Sequence, residues 1–74
     1  MPYERRHAID ALDEVTLAVA MRSDDGATIP EGSSGTVVGV WAGGNAFEVE
    51  FSEPFHALAT VERAAIAQSL KAAS

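Results

Sequence analysis

The segment GTVVGVWAGGNAFEVEF, Gly35 to Phe51, constrains the fold more than any other part of the chain. Two runs rich in β-branched and aromatic residues flank Ala42-Gly43-Gly44-Asn45. Gly43 and Gly44 permit the positive φ angles that tight hairpins need, and Asn45 tolerates them. The segment therefore reads as two strands, TVVGVW and AFEVEF, joined by a four-residue loop. That loop sets Trp41 opposite Ala46, Val40 opposite Phe47, Val38 opposite Val49 and Thr36 opposite Phe51. Side chains alternate across a strand. Val38, Val40, Phe47, Val49 and Phe51 then share one apolar face, and Trp41 joins Val37, Gly39, Ala46, Glu48 and Glu50 on the other. A slip of one residue would exchange the two faces.

The same periodicity of two marks an earlier strand. Val15, Leu17 and Val19 alternate with Thr16 and Ala18 between Asp13 and Met21, the pattern of a half-buried strand. RSDDGATIPEGSSG follows without periodicity. Asp25-Gly26 and Pro30-Glu31-Gly32 are turn signals, and Ile29 is the residue expected to tuck into the core. Ser52 and Pro54 open a second turn before HALATV, a shorter strand. From Glu62 the chain is alanine-rich and helix-prone, with Ile66 and Leu70 four apart. A helical or 3-10 end is expected there, with a short closing strand through Ile66 as the alternative.

Four or five short antiparallel strands make a mainly β chain, and a small barrel is its economical solution because closure removes exposed edges. Residues 1–12 form an N-terminal arm, 13–61 the barrel strands and 62–74 a C-terminal tail. The expected core is Val15, Leu17, Val19, Val38, Val40, Phe47, Val49, Phe51, Leu58 and Ile66.

Composition narrows the function classes. A single domain of 74 residues buries only about 60% of its unfolded surface, so it depends on one compact core or on a partner subunit. There is no cysteine, hence no disulfide or thiolate metal site, which fits a reducing cytoplasm. No apolar run is long enough for a membrane span, and the N-terminus has no apolar block of the signal-peptide kind. Five basic residues against eleven acidic ones give a net charge of −6. That disfavours nucleic acid, whose backbone is bound mainly by Lys and Arg.

No catalytic, cofactor or metal set is expected. Asp24, Asp25 and Glu31 lack the alternating spacing of a calcium loop. His7 and His56 have no ligand at metal spacing. Ser33, Ser34 and Ser52 sit among turn residues with no base placed to activate them. Trp41 has two readings. A bulge, the N-terminal arm or the tail covers it, as is usual for tryptophan, or it stands exposed as a binding anchor. The hairpin register favours at least partial exposure. Glu48, Glu50 and Glu53 form an acidic strip that either guards the sheet against edge pairing or docks basic groups.

LDEVTL, GSSGTVVGV, FEVEF and ALATV, in that order, resemble the bacterial domain-of-unknown-function family numbered four thousand nine hundred and twenty-six, over about Leu12 to Ile66. The resemblance implies an SH3-like barrel, without agreed catalytic residues. The turn after Phe51 departs from the family pattern in lacking a glycine. Gly-Thr-Val-Val is also similar, more distantly, to the turn-strand unit of ribosomal KOW segments. The expectation is a non-enzymatic module that docks a protein segment through Trp41, Phe55, His56, Glu48 and Glu50, between the loop after Met21 and the Ala42–Asn45 loop. The partner is an unidentified protein, and a homodimer is open to the chain. A KOW-like nucleic-acid or ribosome-associated module and an auxiliary subunit of an enzyme complex are the competing classes.

Overall fold

A computed structural model of the protein describes residues 9–72. They form a mainly β structure of seven strands, β1 (Glu14–Leu17), β2 (Met21–Arg22), β3 (Thr28–Ile29), β4 (Ser34–Trp41), β5 (Ala46–Phe51), β6 (Ala57–Glu62) and β7 (Ile66–Leu70). A 3-10 turn, Arg63–Ala65, separates β6 from β7. The main sheet is antiparallel with strand order β6-β5-β4-β1-β7. The segment between β1 and β4 is not a plain loop: β2 and β3 pair as a small hairpin, turned at Gly26 with φ 92°. No helix among the described residues is long and apolar enough to cross a membrane.

β6 and β7 follow each other in the chain yet stand at opposite edges of the sheet. In a flat sheet four inter-strand steps would separate them by about 19 Å. The turn between them spans only three residues and reaches at most about 14 Å even when extended. The sheet must therefore curl strongly. It does not close: β6 and β7 make no strand pair, so the expected closed barrel is corrected to a curled, open five-stranded sheet. Part of the open side of β6 is taken by the β2–β3 hairpin, where the Asp24 N–H donates to the Leu58 carbonyl at 2.7 Å.

The concave face holds the core. Val15, Leu17, Ile29, Val37, Phe47, Val49, Phe51, Ala59 and Val61 are buried, joined by Ile9. Burying a side chain such as Phe47 contributes about 1.5–3 kcal/mol. Val15, Leu17, Phe47, Val49 and Phe51 match the sequence reading, Ile29 tucks in as expected, and Ile66 is partly buried.

Four expected core residues are exposed: Val19, Val38, Val40 and Leu58. At the hairpin tip the register is the expected one, with Trp41 opposite Ala46 and Val40 opposite Phe47. A β-bulge then intervenes between Val37 and Gly39, so Val37 rather than Val38 faces Val49 and Thr36 faces Glu50. The bulge absorbs Val38 and hands its inward place to Val37. Val40 keeps the inward phase but lies near the open tip. In β6 the pairing of Phe47 with Val61 and Val49 with Ala59 turns Leu58 outward beside Glu50. Val19 is exposed because β1 ends at Leu17 and the chain leaves the sheet, the Ala18 N–H bonding the Ala65 carbonyl at 2.7 Å.

Of the two arrangements open to the C-terminal segment, the closing strand is the one found. Only Arg63–Ala65 is helical, and Ile66–Leu70 pairs with β1. The end of this strand is fastened by Asp13, a buried acid just before β1. Its carboxylate accepts from Lys71 Nζ at 3.0 Å, from the Ala72 N–H at 3.0 Å and from the Asp10 N–H at 2.8 Å.

Candidate protein-docking face

Trp41 ends β4 and enters a loop that only a few residue types can make. Ala42, Gly43 and Gly44 all take positive φ, 52°, 68° and 100°. The Gly44 N–H closes the turn onto the Trp41 carbonyl at 3.0 Å. Arg63 clamps the loop from the 3-10 turn, its N–H donating to the Asn45 carbonyl at 2.9 Å and its Nε to the Gly44 carbonyl at 3.2 Å. The indole is thus carried on a fixed corner, and it is 55% exposed.

The register lays out the convex face around it. Trp41, Ala46 and Glu62 form one cross-strand row, and Gly39, Glu48 and Thr60 the next. Thr36, Glu50 and Leu58 form a third. Gly39 and Ala46 are too small to cover the indole. Thr60 Oγ1 donates to Glu48 Oε1 at 2.9 Å, which fixes that carboxylate beside the flat Gly39 position. Three carboxylates, those of Glu48, Glu50 and Glu62, therefore share this face with one exposed aromatic ring.

Phe55 and His56 lie elsewhere. Both belong to the β5–β6 connection, which contains a cis Glu53-Pro54 peptide bond. That connection sits at the far end of β5 from Trp41, about 17 Å away along the strand at the usual rise per residue. The expected single site is thereby divided. Trp41 and Glu48 share one end of the convex face, and His56 and Glu50 share the other. The β2–β3 hairpin tip packs at Leu58 rather than beside the Ala42–Asn45 loop, so those two loops do not flank a common site.

At the far end Asp24, Asp25, Glu50 and His56 line an open cleft of about 440 Å³ together with Ala57 and Leu58. Asp25 is held by Ser23 Oγ, which donates to its Oδ1 at 2.5 Å while accepting from the Ala27 N–H at 2.9 Å. Ser33, Ser34 and Ser52 line a second open cleft with Glu31 and Glu53, where no histidine takes part. Ser34 Oγ is engaged with Thr16 Oγ1 at 2.8 Å. Among the described residues no group of three or more His, Asp or Glu side chains is arranged to hold a metal ion.

The sequence reading missed Glu62 and the Asp24–Asp25 pair as members of this acidic surface. Glu62 reaches Trp41 only through the β5–β6 register, and Asp24–Asp25 only through the docking of the hairpin on β6. Neither leaves a local signal in the chain. Comparison with family models, with curated proteins and with solved structures returned no match to this chain.

Proposed function

We propose that the domain is a non-enzymatic binding module that docks a segment of another protein on the convex face of β4, β5 and β6. The observation that carries the reading is the half-exposed Trp41, held on a clamped corner with the small residues Gly39 and Ala46 beside it on β4 and β5. Tryptophan dominates binding hot spots because a large rigid surface is desolvated at little entropic cost. Core tryptophans stabilise folds, but this one has more than half its surface in solvent. Glu62 in its own row and Glu48 in the next, with Glu50 further along the same face, favour a partner that brings positive charge.

On this reading the fold is an SH3-like barrel left open. The order β6-β5-β4-β1-β7, the hairpin inserted after β1 and the 3-10 turn before the last strand are similar to that architecture. The likeness supports the fold assignment and by itself carries no function. The chain is grouped with the domain-of-unknown-function family it resembles. Gly35 of its Gly-Thr-Val-Val element has a physical reason to be glycine, since a Cβ there would lie 2.7 Å from Val49 Cγ1. A cytoplasmic setting, suggested by the lack of cysteine, completes the proposal.

The test uses the full chain as bait in an extract of its native host, beside Trp41→Ala. Loss of a stoichiometric partner with little change in thermal stability is the expected outcome. The reverse ranking, with stability lost and capture retained, would make Trp41 a structural residue and remove the basis of the reading.

A further inference from the structure

β4 is eight residues long, but only its first part has neighbours on both sides. β1 pairs with Ser34–Thr36. Leu12 and Asp13 extend that contact by one position, the Leu12 N–H donating to the Val37 carbonyl and the Val37 N–H to the Asp13 carbonyl. There the Asp10–Asp13 turn reverses the chain, closed by the Asp13 N–H on the Asp10 carbonyl at 3.1 Å. Beyond it, Gly39–Trp41 pair with β5 on one side, and neither they nor the bulged Val38 pair, among the described residues, with a strand on the other. Alternate residues of such an edge aim unpaired N–H and C=O groups outward. Proteins usually protect an edge with charge or proline. This one has neither, and Val38, Val40 and Trp41 are 46%, 44% and 55% exposed.

We infer that the Val38–Trp41 edge of β4 receives an extended segment of a partner protein by β-strand addition, and that this segment alternates basic with apolar residues. The inference rests on the docking role proposed above and gives it a backbone mode and a partner chemistry. The alternation follows from the faces. An incoming residue opposite Val40 points to the concave side, where an apolar side chain covers Val40. An incoming residue opposite Gly39 points to the convex side. Gly39 has no side chain, so a lysine or arginine there reaches over it to Glu48, whose carboxylate Thr60 already fixes. The next convex position lies against Trp41, where a cation meets the indole face with Glu62 in the same row. Main-chain bonds supply the adhesion and the alternate side chains the selectivity.

The probe is acetyl-Lys-Val-Lys-Val-Lys-Val-amide, titrated into the full chain at low salt and followed by amide chemical shifts and Trp41 fluorescence. Two controls replace lysine by glutamate, or methylate alternate backbone nitrogens. Shifts concentrated at Val38–Trp41, with binding weakened on the order of tenfold in both controls and in Glu48→Gln, are the expected result. A methylated peptide that binds as well and still perturbs Trp41 overturns strand addition while leaving docking at Trp41 intact. No response of Trp41 to any of these peptides overturns the inference, while the host-extract comparison with Trp41→Ala tests the docking role separately. Edge amides already protected from exchange in the free chain would overturn the inference too. They would show the edge filled by residues 1–8 or by a second copy.

Discussion

The carboxylate of Asp13 and the ammonium of Lys71, 58 residues apart in the chain, meet at 3.0 Å with the aspartate buried and the lysine half-exposed. This contact joins the entry to β1 to the exit from β7. Burial by itself would push the Asp13 carboxyl up. The Asp10 N–H, the Lys71 ammonium and the Ala72 N–H outweigh it and hold the group below its ordinary value. The folded state therefore binds this proton less readily than the unfolded chain. The stabilisation is present in full above the ordinary carboxylate range and is lost as pH falls through the folded-state value. Asp13→Ala should cost on the order of 2–4 kcal/mol near neutral pH, because two backbone donors lose their acceptor. Urea unfolding should show the gap between variant and parent narrowing in acid.

Gly35 is a buried position of β4, opposite Val15 of β1 and beside β5. A Cβ there would come within 2.8 Å of the Glu50 carbonyl oxygen and 2.9 Å of Phe51 Cδ2 as well as touching Val49. A backbone oxygen cannot rotate out of the way. Gly35→Ala should destabilise by about 1–3 kcal/mol, the range for overpacked cores. A thermal midpoint equal to that of the parent would mean that β4 and β5 lie further apart.

The bulge makes neighbouring valines unequal. Val37→Ala and Val49→Ala each empty a fully buried position and should cost about 1–3 kcal/mol. Val38→Ala, at a half-exposed bulge position, should stay within about 0.5 kcal/mol of the parent. Denaturant midpoints for the three variants test the register directly. If Val38 proves the costly one, the unbulged pairing is restored.

Leu12 takes φ 75° although it is not glycine, and its side chain is 67% exposed. The left-handed conformation costs a non-glycine residue about 1–2 kcal/mol, and little packing is lost by removing so exposed a side chain. Leu12→Gly should raise the thermal midpoint modestly. A lower midpoint would show that Leu12 packs against something.

The charge of −6 leads to a last prediction. RNA and DNA should bind only weakly at physiological salt, since few phosphates can be neutralised. A submicromolar, salt-sensitive affinity for RNA would favour the KOW-like class instead.

Where one local rule acted alone, the chain could be read. Phe47, Val49 and Phe51 alternate without interruption and point inward as the period demands. Gly43 and Gly44 take the positive φ that a tight hairpin needs, and the chain turns at Gly26 and Gly32 as the turn residues there signal. The reading failed where a distant pairing chose between equal local options. Val37 and Val38 are chemically identical, and only the bulge against β5 decides which is buried. In β6 the larger Leu58 looked like the core residue, yet the register with β5 turns the smaller Ala59 inward. Likewise Trp41 was legible as an outward residue from the hairpin alone. Its neighbour Glu62, and the distance to His56, depend on how a third strand aligns.

The pairing of β1 with β7 also fixes how the domain would respond to force. Glu14 stands opposite Leu70 and Leu17 opposite Ile66, so the free ends of both strands emerge at the same end of the pair. A pull applied at Asp10 and Lys71 therefore does not shear the strands past each other. It opens them like a zipper, one bond at a time, with the Asp13 contacts bearing the load first. In a module anchored through these two points the load would fall on the β1–β7 seam before it reached the β4–β5–β6 face that carries Trp41.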